Sequence, residues 1–171
     1  LNLIRKAEIP FGIPGCSYAT GPFTHVNPAG SRFSDGQYGV LYMGESIDTA
    51  IAEVAYHQSS YWQGVHGLDY DRLVFRGLKC KVGTMTLHDA TTLPFGDAIY
   101  DSDSYAASRS FGRRLYRAGS EGLQYHSVRK PGDTCWGLFT PRRIHSVIQT
   151  AHFEFIWNGE KISSVNKFTK A

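Results

Sequence analysis

Apolar and polar positions along the chain change period several times, and each change marks an element. Gly39 through Gly44 (GVLYMG) is short and continuously apolar, the pattern of a buried strand. Ser46 follows as a helix N-cap, and Asp48 lies in the positively polarised first turn. Ile47, Ala50, Ile51, Val54 and Ala55 then recur at helical spacing, which predicts an amphipathic helix over 47–57. Glu53 and His57, one turn apart, fall at the margin of its apolar face. Residues 58–71, with Tyr61 and Trp62, read as loop, and 72–87 as two strands, LVF and then CKVGTMTL. Ser104 through Ala118 reads as a second helix with Tyr105, Ser108, Phe111 and Leu115 on its inner face and Gly119 as its stop. GLQYHS at 122–127 and Trp136 to Phe139 are short strands. In the tail Phe153, Phe155 and Trp157 alternate with His152, Glu154 and Ile156. Asn158-Gly159 then predicts a type I′ turn and EKIS a returning strand. Residues 10–31 hold four prolines and four glycines and predict loop with at most a short strand.

The sum is a mixed α+β chain of about seven short strands and two or three helices. Its 171 residues suit one domain, 1–171, and no repeat or linker divides it. With 42% hydrophobic and 19% charged residues, disorder is excluded. The formal net charge of +3 is too small to mark a nucleic-acid binder. It is unevenly spread: residues 109–143 carry seven arginines and one lysine against Glu121 and Asp133. That suggests an arginine-dominated patch beside Ser127 and leaves anionic ligands open. Three distant cysteines and no CxxC pair argue for a reducing compartment, and no apolar run reaches membrane-spanning length. The N-terminal stretch lacks a signal-peptide core, so the expectation is a soluble, cytoplasmic protein with no membrane contact.

No GxGxxG, GxxxxGK[ST], GxSxG or HExxH occurs. His152-Phe153-Glu154 imitates part of a zinc-deaminase motif, but its P-C-x-x-C partner is missing. The seven histidines show no ligand spacing, so no metal is expected, and His57 reads as a packed or edge histidine.

Three segments remain. Gly30-Ser31-Arg32-Phe33-Ser34-Asp35-Gly36 sets an arginine in a glycine-bounded loop before a strand, suited to forking onto a phosphate. In isolation a surface arginine paired with a loop carboxylate is the commoner outcome. Tyr42 at the strand end lies eleven residues before Glu53 on the following helix, which brings both into one neighbourhood. Gly122 through Arg129 ends a strand at Ser127 and continues into a turn with Pro131 and Gly132, an anion-receptive corner.

Together these segments resemble the RES domain, a family named for its arginine, glutamate and serine. Its G-G-R-[FW]-N, L-Y, A-x-x-E and G-x-x-Y-x-S pattern is matched by Gly30 to Ser34, Leu41-Tyr42, Ala50 to Glu53 and Gly122 to Ser127. The resemblance covers roughly residues 28–140. Ser31 stands where the family has its second glycine and Ser34 where it has asparagine. The family also has a basic pocket residue near its N-terminus, for which Arg5 is the only upstream arginine here.

The resemblance implies an ADP-ribosyltransferase-like fold, with a split mixed β-sheet core around an NAD cleft. It implies a toxin of a bacterial toxin–antitoxin pair that destroys NAD+ by phosphorolysis or hydrolysis, neutralised by an Xre-type helix-turn-helix antitoxin. NAD+ is then substrate rather than cofactor, and inorganic phosphate a candidate co-substrate. Breaking the nicotinamide–ribose bond passes through a cation-like ribosyl centre. In that chemistry Arg32 would hold the pyrophosphate, and Tyr42 would stack on the pyridinium ring. Glu53 would stabilise the oxocarbenium and bind ribose hydroxyls. Ser127 would orient phosphate or the nicotinamide end, with no adjacent base to make it a nucleophile, and Arg129 would be a second anion anchor. The catalytic set is thus Arg32, Glu53 and Ser127, with Tyr42 and Arg129 binding substrate. Two alternatives stay open: transfer of ADP-ribose onto a protein, and a non-catalytic nucleic-acid-binding module, against which the aromatics do not interleave with basic residues. The strand pair at 144–165 and the aromatics Tyr61 and Trp62 read either as contacts for a partner or as ordinary core, and a homo-oligomer stays open.

Overall fold

A computed structural model describes residues 4–168, so the first three residues of the stretch read for a leader lie outside it. The alternation in the tail extends further than its aromatics suggest. β6, Ile144–Trp157, pairs antiparallel with β2, Asp71–Val82, on one side and with β7, Ile162–Phe168, on the other. Its odd positions from Ala151 to Trp157 are buried, and full burial of a Phe or Trp there contributes roughly 2–3 kcal/mol.

β2 is one strand, not the two expected over 72–87. The register slips between Arg76 and Leu78, so Gly77 forms a bulge that the strand passes through rather than a break. A Cβ at Gly77 would lie 2.7 Å from Thr150 Oγ1 and 2.8 Å from the Phe153 ring, which is why glycine occupies the bulge. The β6–β7 connection is not a type I′ turn. Among the described residues only glycines have positive φ, so Asn158 cannot take the first I′ position, although Gly159 has φ +88°. Instead Asn158 Oδ1 accepts from the Glu160 and Lys161 amides at 3.1 and 2.9 Å, making a four-residue loop over 158–161.

The second sheet has the order β1-β5-β4-β3, from β1 (Leu41–Gly44), β5 (Thr134–Leu138), β4 (Gly122–His126) and β3 (His88–Asp89). Only β3 and β4 are parallel. One face turns Tyr42, Leu123, Tyr125 and Cys135 into a core with Phe33, Tyr38, Ile99 and Tyr100. The other turns Leu41, Met43 and Leu138 toward Ala19, Ile144 and Val147. The chain is therefore α+β with its strands split between two sheets.

Residues 10–31 are not all loop. α1, Cys16–Thr24, holds Pro22 in its last turns and buries Ala19 and Phe23, one turn apart. The punctuation that masks the helix is needed at its start: Gly15 is the N-cap with φ +72°, and a Cβ there would sit 2.0 Å from the Val147 carbonyl oxygen.

α2 runs Ile47–Trp62, five residues past the expected end, so Tyr61 and Trp62 belong to its last turn rather than a loop. Ser46 caps it as expected, its Oγ accepting from the Thr49 amide at 3.1 Å. Ile51, Val54 and Ala55 pack on Phe75, Phe153 and Phe155, which seats one flank of α2 on the β2-β6-β7 sheet. α3, Ala106–Arg117, starts two residues later than expected, and Gly119 at φ +78° closes it. Among the described residues no helix is long and apolar enough to cross a membrane.

Candidate active site

The loop before β1 is fixed by its own serines. The Ser31 amide donates to the Ser34 carbonyl at 2.8 Å. Ser34 Oγ accepts from the Gly36 amide at 3.1 Å and donates to the Tyr38 carbonyl at 2.6 Å. Ser34 thus supplies the short side-chain acceptor that an asparagine would give to such a turn. Arg109, from α3, braces the loop by donating to the Ser31 and Ala29 carbonyls at 3.0 and 2.8 Å.

This scaffold turns Arg32 inward, where it is 7% exposed. Nη1 donates to the Ile99 and Asp101 carbonyls at 3.2 and 2.9 Å, and the guanidinium lies 4.5 Å from the centre of the Tyr105 ring. Nη2 is buried and has no partner among the described residues. Arg32 is therefore not a surface arginine paired with a loop carboxylate. A desolvated guanidinium held by neutral carbonyls keeps its full charge for an incoming anion.

Tyr42 brings its hydroxyl to the same loop. It accepts from the Phe33 amide at 2.9 Å and shares a 2.8 Å hydrogen bond with Ser31 Oγ. The serine at the family's second glycine position is thus absorbed by Tyr42. Burial, the largest influence, pushes the phenol up to about 12, so it stays protonated and serves as a fixed strut.

On α2, the flank opposite the apolar one presents Glu53, Tyr56 and His57. Ser127 Oγ donates to Glu53 Oε1 at 2.8 Å. The same oxygen of fully buried Ser127 accepts from the Lys130 amide at 3.0 Å. A carboxylate does stand beside Ser127, contrary to the sequence-based expectation. The Ser127 hydroxyl thus donates to the carboxylate and accepts from a backbone amide, which fixes how the Glu53 side chain is turned. Cys135 Sγ lies 4.0 Å from the same Glu53 oxygen, and burial with that negative charge pushes its thiol up to about 11. It remains a neutral thiol.

Arg129 stacks on Tyr56, its guanidinium carbon 3.2 Å from the ring centre, and Nη2 donates to the Ser102 carbonyl at 2.7 Å. Its Nε is buried without a hydrogen-bond partner among the described residues. Burial lowers the pKa of His57; the charges of Arg129 and Arg32 add to this and Glu53 opposes it. The structure thus brings Arg32, Tyr42, Glu53, Ser127 and Arg129 into one region. Among the described residues no group of three or more His, Cys, Asp or Glu is placed to hold a metal ion.

Arg5 does not join them. It is exposed and pairs with Glu8 at 3.2 Å. The arginine-rich window of 109–143 is also not one patch beside Ser127. Arg113 pairs with Asp35, Arg142 with Glu8 and Arg143 with Glu121, Arg109 is spent on the Ser31 loop and Arg114 lies over the Phe111 ring, while Arg129 and Lys130 follow Ser127 directly, the latter paired with Asp133. Sequence reasoning missed Tyr56, three residues after Glu53 and so on the same helical flank. It assigned Tyr105 to a helix face, whereas its ring covers Arg32.

A family model, the RES domain, matches residues 9–158. The chain belongs to the RES domain family. It is also 26% identical over 159 residues to an uncharacterized protein, y4oC, of Sinorhizobium fredii. The match covers 88% of this chain and 61% of that protein, so the chain spans about three fifths of its relative's length.

Proposed function

We propose that this RES domain cleaves the nicotinamide–ribose bond of NAD+, by phosphorolysis or hydrolysis, as the toxin of a bacterial toxin–antitoxin pair. The observation that carries the reading is Arg32: a buried guanidinium that, among the described residues, has no carboxylate partner and one unpaired donor, in one region with the Ser127-oriented carboxylate of Glu53. An anion-binding donor beside a fixed carboxylate suits a substrate with a pyrophosphate and a ribosyl centre that becomes cationic.

In this reading Arg32 Nη2 and Arg129 Nε grip phosphate oxygens. Glu53 faces the developing oxocarbenium, and Ser127 holds Glu53 in place. Tyr42 holds the Arg32 loop, and a stacking role for its ring on the pyridinium is part of the same proposal. NAD+ is substrate, inorganic phosphate a co-substrate, residues 1–171 one catalytic domain, and the neutralising partner an Xre-type antitoxin in the bacterial cytoplasm. No metal, membrane or direct nucleic-acid contact enters the scheme.

The test is incubation of the purified chain with NAD+, with and without phosphate. Released nicotinamide that disappears with Glu53→Gln supports the reading. ADP-ribose 1″-phosphate marks phosphorolysis and ADP-ribose marks hydrolysis. Label from NAD+ retained on protein would replace the reading with ADP-ribosyl transfer, and absence of free nicotinamide would end it.

A further inference from the structure

A cavity of about 840 Å³ borders neither Arg32 nor Glu53, and Tyr42 is the one residue of that site that lines it. It lies between the two sheets, on the face of β1 and β5 opposite Tyr125 and Cys135. Its volume falls within the range of small-molecule sites and far exceeds what a dry core void tolerates. Its walls are mainly apolar: Leu41 and Met43 from one sheet, Phe75 and Phe153 from the other, and Ile51 and Val54 from α2.

The mouth differs from the walls. The Gly77 bulge shifts the register of β2, and Arg76, Leu78 and Lys79 all border the cavity. Leu78 and Ile47, which also border it, are more than two-fifths exposed. Arg76 donates to the Tyr18 hydroxyl at 3.1 Å. Among the described residues, neither Arg76 nor Lys79 has a carboxylate within ion-pairing distance, although five other arginines and Lys130 do. Glu45 also borders the cavity, and its carboxylate accepts from the Thr134 amide at 2.8 Å.

We infer that this inter-sheet cavity is a second ligand site, taking a single-chain amphiphile with an anionic carboxylate head. The chain lies between the sheets and the head meets Arg76 and Lys79. Apolar walls recognise the chain by area removed from water, and a guanidinium with free donors forks onto a carboxylate. This inference stands apart from the NAD+ reading, since none of its charged groups belongs to the Arg32 site.

Isothermal titration of the full chain with dodecanoate, below its micelle concentration, tests it. Saturable one-to-one binding is expected, about tenfold or more tighter than for dodecanol, which lacks the charged head. The double variant Arg76→Glu, Lys79→Glu alters exposed positions, so it should keep the parent unfolding midpoint while weakening dodecanoate by about tenfold or more. Leu78→Glu should weaken both ligands. Absence of saturable binding overturns the inference. So does equal affinity for dodecanol, or dodecanoate binding that neither variant alters. Nicotinamide release by the double variant should match the parent, so loss of NAD+ activity in the parent leaves this result readable on its own.

Discussion

Ser127 Oγ donates to Glu53 Oε1 at 2.8 Å, joining two residues 74 positions apart through a bond that no solvent reaches on the serine side. Because the Lys130 amide feeds the same hydroxyl, the serine proton points at the carboxylate. Ser127→Ala removes that donor and frees the carboxylate to rotate. A roughly ten- to hundredfold fall in nicotinamide release is expected, from the value of a hydrogen bond to a charged group. Glu53→Gln, which removes the charge itself, should cost about 100- to 1,000-fold. Equal activity of Ser127→Ala and the parent in a nicotinamide-release assay would remove Ser127 from the machinery.

Arg32→Lys keeps the charge and loses the fork. A lysine cannot bond the Ile99 and Asp101 carbonyls and also present a second donor to an anion. Urea unfolding should show a loss of about 1–3 kcal/mol, and kcat/KM for NAD+ should fall at least about tenfold. Retained kcat/KM would show that the vacant Nη2 does not meet substrate.

Gly112 makes the opposite case to helix propensity. Glycine inside a helix is about 1 kcal/mol worse than alanine, so Gly112→Ala should stabilise α3 on propensity alone. A Cβ there, however, would lie 2.1 Å from the Phe33 carbonyl oxygen, next to Arg32. The expected outcome is a lower thermal midpoint and reduced NAD+ cleavage together, both measurable on one preparation.

His57 sets a pH dependence. Its folded pKa is lowered, chiefly by burial, below the ordinary value near 6.5. Below that value the unfolded chain binds more protons than the native one, so stability falls as pH drops through the window beneath 6.5 and is fully present above it. Urea titrations at pH 7.5 and 5.5 should show a smaller difference for His57→Asn than for the parent. An unchanged difference would assign the slope to other groups.

What was legible in the sequence was whatever a local period or motif encodes. The α2 start, the stop at Gly119 and the C-terminal alternation could be read because cap, turn and spacing act within a few residues. The motif loop, Tyr42, Glu53 and Ser127 could be gathered because their order matched a family pattern. The rest depended on distant partners. α1 hid behind Pro22 and Gly15, whose need for glycine comes from Val147, 132 residues away. β2 looked broken at Gly77 because its pairing with β6, which carries the strand through a bulge, is not written in either segment alone. Arg129 could be marked as an anion anchor, but its stack on Tyr56 and its clamp on the Ser102 carbonyl join three separate regions.

α2 presses Ile51, Val54 and Ala55 against one sheet and offers Glu53, Tyr56 and His57 to the region of the other. Sixteen residues therefore carry two interleaved texts, one read every turn for fit and one read every turn for chemistry. A library that randomises only the first can retune rigidity while leaving the carboxylate and its neighbours in place, and one that randomises only the second can change what is cut on an intact frame.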